Sequence, residues 1–72
     1  MPTQELPLYE VRMDPQMDED MGQLAKRLSA NRAEVFRRAM RLYVAVKNRQ
    51  LDDRSSLFLE DAQGSRTEIT GV

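Results

Sequence analysis

Leu8-Tyr9-Glu10-Val11-Arg12-Met13 alternates in character and stands directly before Asp14-Pro15, and the reading of this stretch decides the fold. Successive side chains of an extended strand point to opposite faces. Tyr9, Val11 and Met13 therefore share one face, and Leu8, Glu10 and Arg12 the other. A lone strand leaves its backbone N–H and C=O groups unpaired. The helical region that follows supplies no neighbouring strand, so the segment must pair with a copy of itself from a second chain or with something near the C-terminus. Ahead of it, residues 1–7 contain Pro2 and Pro7, show no clear period, and read as a flexible arm.

Asp14-Pro15 reads as a helix start. Asp14 can accept from an early backbone N–H, and Pro15 suits the first helical position because its missing donor would have had no partner there. Asp18, Glu19 and Asp20 then lie near the positive end of the helix dipole, and Lys26 and Arg27 near the negative end. Met17, Met21, Leu24, Ala25 and Leu28 fall on one helical face, and the spacing predicts a helix over residues 15–28. Ser29-Ala30-Asn31 breaks it. Asn31, followed three residues later by Glu34, resembles a capping box, with Ala30 and Val35 at the hydrophobic-staple positions. A second helix is expected from there to about Gln50, its apolar stripe formed by Val35, Phe36, Ala39, Met40, Tyr43 and Val46. Methionines at helical spacing read as core rather than as an adaptable binding groove.

Residues 51–56 are polar and turn-forming. Beyond them, Leu57-Phe58-Leu59-Glu60 and Arg66-Thr67-Glu68-Ile69-Thr70 flank a linker in which Gly64 can supply a positive φ, the pattern of a β-hairpin. A two-stranded hairpin is marginal alone, so it must pack on the helices, bind another protein or stay partly unfolded. The chain thus divides into an arm (1–7), a strand-helix-helix domain (8–50) and a C-terminal extension (51–72).

At 72 residues without cysteine or histidine, the chain lacks disulfide staples, zinc-thiolate sites and the commonest general base. A domain of this size buries only about 60% of its unfolded surface. Self-association is the remaining common route to stability, and a homodimer is expected. No enzyme is expected, since so short a chain cannot easily build a concave catalytic pocket. Neither cofactor nor metal is expected either: Asp18, Glu19 and Asp20 are consecutive on a helix and do not converge. With no apolar run of membrane-spanning length and no secretory leader, a cytoplasmic protein without a membrane partner is the simplest reading. The net charge of −1 conceals an uneven distribution. Residues 31–50 carry Arg32, Arg37, Arg38, Arg41, Lys47 and Arg49 against Glu34 alone, a net +5, between flanks of −3 each.

A short amphipathic strand, a capped helix, a three-residue break and a second capped helix together resemble the ribbon-helix-helix family of Arc, MetJ and CopG-type repressors and antitoxins. The resemblance covers roughly residues 8–47. Its more diagnostic part is Ser29-Ala30-Asn31-Arg32-Ala33-Glu34-Val35-Phe36-Arg37-Arg38-Ala39-Met40, a small or polar turn followed by a basic residue, a Glu, two bulky apolar residues and a small one. It implies a mainly α, intertwined homodimer whose strands pair antiparallel into a two-stranded ribbon. Tyr9, Val11 and Met13, with Val35, Phe36, Ala39 and Met40, would form the dimer core. Leu8, Glu10 and Arg12 would enter the major groove of double-stranded DNA. Asn31, Arg32 and Ala33 would hold a phosphate at the start of the second helix.

Two features depart from that pattern. Arg12 suits guanine, but Glu10 puts a carboxylate among phosphates and near its own symmetry mate. The ribbon also carries one cation per strand. Two functions stay open: a sequence-specific DNA-binding regulator, repressor or antitoxin, and a dimeric module that docks a protein, for example a toxin, through residues 51–72 by strand addition. A monomer whose first strand pairs with the hairpin is the third arrangement.

Overall fold

The computed structural model describes residues 6–72. Helix α1 runs Pro15–Arg27 and helix α2 Arg32–Asp53; strands β1 (Leu57–Glu60) and β2 (Arg66–Ile69) follow. The molecule is mainly helical, with one antiparallel hairpin of order β1-β2. Most of the expected arm, residues 1–5, lies outside the described residues.

Helix α1 begins as its sequence dictates. The Asp14 carboxylate accepts from the Met17 N–H at 2.8 Å, with Pro15 in the first turn. At its other end Ala30 N–H donates to Ala25 O at 2.8 Å and Ser29 N–H to Lys26 O at 3.2 Å. This is a Schellman arrangement, and it requires the left-handed conformation that Ser29 adopts at φ 52°. Asn31 Oδ1 then caps α2 by accepting from Glu34 N–H at 2.8 Å. Only half of the expected capping box forms, because the Glu34 carboxylate turns to Arg37 and Arg38 on its own helix instead of reaching back to Asn31.

Helix α2 runs three residues past the expected end at Gln50, so Leu51, Asp52 and Asp53 are helical rather than part of a turn. The extension is held by Arg49, whose Nε donates to Asp53 Oδ2 at 2.9 Å across one turn. It stops at Arg54, which takes the left-handed conformation at φ 58°.

The hairpin forms as expected, with Leu57 opposite Ile69 and Leu59 opposite Thr67. Asp61 organises its turn: the carboxylate accepts from both Gln63 and Ser65 N–H at 2.9 Å, and Gly64 lies at φ 87°. The sheet stops at two strands, so the monomeric arrangement in which the first strand adds to the hairpin is not adopted. In this single chain residues 8–13 run without strand pairing.

Very little of this chain is covered. Among the described residues Ala25 (5% exposed) and Val35 (7%) are the buried apolar side chains, where α1 meets α2. The radius of gyration is 15.8 Å, against about 11 Å for a compact domain of this length. Likewise the accessible surface is 7059 Å², where a compact monomer of this mass would expose about 4,600 Å². Large apolar side chains stand on the exposed surface. Met40, Leu42, Tyr43 and Val44 all stand open on α2, as do Met17 and Leu24 on α1 and Leu28 just past its end.

Candidate nucleic-acid interface

The start of α2 is built from both helices. Arg32, its first residue, reaches back across α1: its Nε lies 3.1 Å from Asp18 Oδ1 and 3.3 Å from the Asp18 carbonyl. The guanidinium spreads over Gly22, where an added Cβ would stand 2.8 Å from Arg32 Cζ. A glycine inside a helix costs up to about 1 kcal/mol relative to alanine. Here the missing side chain makes the seat for Arg32.

This geometry qualifies the three residues expected to hold a phosphate. Asn31 spends its side chain on the Glu34 N–H, while the N–H groups of Arg32 and Ala33 belong to the first turn and have no acceptor within the helix. Those two donors and the helix dipole favour an anion. The Asp18 carboxylate beside Arg32 opposes one, so a phosphate here must compete with it. Neither Asp18 nor Gly22 was among the residues expected at the site. A mid-helix glycine is the signal for Gly22, whereas nothing local links positions 18 and 32.

The rest of the basic segment is partly neutralised as well. Arg37 Nη2 lies 2.9 Å from Glu34 Oε2, and Arg38 Nε lies 3.2 Å from Glu34 Oε1. The Arg37 hydrogen bond, with Arg38 adding to it, holds the Glu34 carboxyl below its ordinary value. The pairs sit at i,i+3 and i,i+4 spacing, which is the sequence signal for them, whereas Glu34 was expected only in the capping box. Arg12 and Arg41 have no ion-pair partner among the described residues.

Leu8, Glu10 and Arg12, expected to read bases, are exposed. Of the residues expected in a dimer core, Val35 is buried and Phe36 half-buried, while Ala39 and Met40 are exposed. Tyr9 (79% exposed) and Val11 (55%) are uncovered, and Met13 is only partly covered. Tyr9 and Val11 border an open groove against Phe36 and Met40 of α2. An adjoining groove joins Leu8 and Met13 to Met21, Arg32 and Ala33. The segment 8–13 and the start of α2 therefore form one continuous surface.

Among the described residues no group of three or more His, Cys, Asp or Glu side chains could hold a metal ion, and no helix is long and apolar enough to cross a membrane. No protein-family model, curated protein or solved structure matches the chain.

Proposed function

We propose that this chain is a homodimeric ribbon-helix-helix DNA-binding regulator, a repressor or an antitoxin, acting in the cytoplasm where its operator lies. One observation carries the reading: an alternating segment without a strand partner precedes two capped helices whose apolar faces stand open. Pairing residues 8–13 with their symmetry mates would satisfy the backbone of that segment. It would also bring Tyr9, Val11 and Met13 over Phe36, Ala39 and Met40. Leu8, Glu10 and Arg12 then face the major groove, with Arg12 suited to guanine O6 and N7. The first-turn amides of Arg32 and Ala33 take a backbone phosphate, which fixes register without reading sequence.

The test is a mobility-shift titration of the full chain on its own upstream DNA at low salt. Retention of a duplex, with discrimination lost in Arg12→Ala, supports the reading; no retained duplex at any concentration removes it.

A second reading draws on the ion pairs. With Arg32 held by Asp18, and Arg37 and Arg38 sharing Glu34, three of the arginines at the start of α2 are already engaged within the chain. In that case the dimer serves protein binding, and the hairpin of residues 57–69 adds strands from a partner such as a toxin. Deleting residues 52–72 separates the two, abolishing partner capture in the second reading and leaving DNA retention intact in the first.

A further inference from the structure

The hairpin presents two unlike faces. Leu57, Leu59, Thr67 and Ile69 lie on one, and Phe58, Glu60, Arg66 and Glu68 on the other, because paired residues share a face and neighbours alternate. The apolar face turns towards the second half of α2. Leu57, Leu59 and Ile69 line a trough with Leu42, Tyr43 and Val46, and almost no polar atom borders it. The intrachain packing covers only part of this trough. Leu57, Ile69 and Val46 are half-buried, whereas Leu59 stays 64% exposed and Leu42 63%.

We propose that a second copy of this chain fills the trough, so that the hairpin is part of the dimer core and not a tail reserved for another protein. The inference rests on the dimeric reading above and extends it to residues outside the strand-helix-helix region. Area supports it first. The chain exposes 7059 Å², roughly 2,500 Å² beyond a compact monomer of its mass. That excess, which the trough shares with the uncovered segment 8–13 and the open stripe of α2, is enough for the roughly 1,000 to 2,500 Å² that each partner of an obligate homodimer buries. Continuity supports it next: Ala39 belongs both to this trough and to the stripe of α2 assigned to the dimer core, so a single apolar surface runs from Phe36 to Val46 and on to Leu59. Charge supports it last. The ion pairs that flank the trough in sequence, Arg49 with Asp53 and Glu60 with Arg66, are satisfied within one chain. An isologous two-fold contact sets a surface against itself, and an apolar surface between neutralised pairs meets its own image without repulsion.

The test uses the full chain. Sedimentation equilibrium measures the dimer dissociation constant of the parent, of Leu59→Lys and of Glu68→Lys, which lies on the opposite hairpin face. Leu59 is mostly exposed in the single chain, so its replacement leaves the fold intact, as far-UV circular dichroism will verify. Leu59→Lys is expected to weaken the dimer by at least about tenfold, the loss for one buried leucine, with Glu68→Lys within about twofold of the parent. In a mixture of isotopically labelled and unlabelled chains, filtered NOE spectra should show intermolecular contacts from the Leu42, Leu57, Leu59 and Ile69 methyls. A dimer insensitive to Leu59→Lys, with intermolecular contacts confined to residues 8–13 and the start of α2, overturns the inference and leaves the dimer standing. A chain monomeric at all concentrations overturns both.

Discussion

Arg32 and Asp18 are joined across the two helices, Nε to Oδ1 at 3.1 Å, at the very place where the α2 amides would receive a phosphate. Both side chains are more than half exposed, so the pair adds little stability, about 0 to 1 kcal/mol. Under the proposed function its larger effect is on binding, because the pair holds Arg32 beside the first-turn amides of α2.

Asp18→Asn removes the competing carboxylate and leaves Arg32 available. Duplex affinity is expected to rise several-fold for all sequences alike, with stability changed by less than about 1 kcal/mol. Arg32→Ala should weaken all duplexes alike and reduce the slope of log affinity against log salt by about 1. Fluorescence anisotropy at three salt concentrations checks both.

Gly22→Ala tests the seat itself. The new Cβ displaces the Arg32 guanidinium from α1, so the helix gains up to about 1 kcal/mol of propensity while the link to Asp18 is lost. Net stability is expected to stay within about 1 kcal/mol of the parent. The decisive quantity is coupling: in the Gly22→Ala background, Asp18→Asn should no longer alter DNA affinity. A double-mutant cycle on that affinity reads this directly.

Ser29 is a non-glycine residue held at φ 52° with an exposed side chain. Ser29→Gly removes the Cβ penalty of the left-handed region and should stabilise the chain by about 1 kcal/mol. Asn31→Ala, two residues on, loses the cap on Glu34 N–H and should cost about 1 kcal/mol. Urea unfolding at fixed protomer concentration measures the two shifts, since a dimer's stability depends on that concentration.

Side-chain chemistry acting within a turn made most of the local fold legible. Asp14-Pro15 and Asn31 announced both helix starts, and Gly64 the hairpin turn. The end of α2 was not legible, because Leu51-Asp52-Asp53 reads as a turn until Arg49 engages Asp53, and because arginine is not the residue expected at a left-handed helix stop. Nor was the Arg32 contact with Asp18 and Gly22, which depends on how α1 and α2 cross. The strand expected at residues 8–13 does not form in the single chain, where that segment is unpaired; its pairing with a second copy belongs to the proposed dimer.

Acid should loosen the molecule at two places. The Arg37 hydrogen bond holds the Glu34 carboxyl below its ordinary value of 4.5, with Arg38 assisting; the Ser55 hydroxyl, then Arg49, holds Asp53 below 3.8. A depressed carboxyl contributes stability that is present above its unfolded value and lost as pH falls through the folded one. Stability should therefore decline as pH drops through and below the ordinary carboxylate range, and Glu34→Gln with Asp53→Asn should flatten that decline. Unfolding midpoints across the acid range give the comparison. At neutral pH Glu34→Gln also releases Arg37 and Arg38, and should strengthen duplex binding.

Selection of duplexes from a random library by the full chain, at two salt concentrations, addresses DNA recognition by the dimeric ribbon most directly. The expected result is enrichment of a short half-site repeated in inverted or direct orientation, weaker at the higher salt, with discrimination lost in Arg12→Ala. Recovery of no enriched sequence at either salt would contradict it.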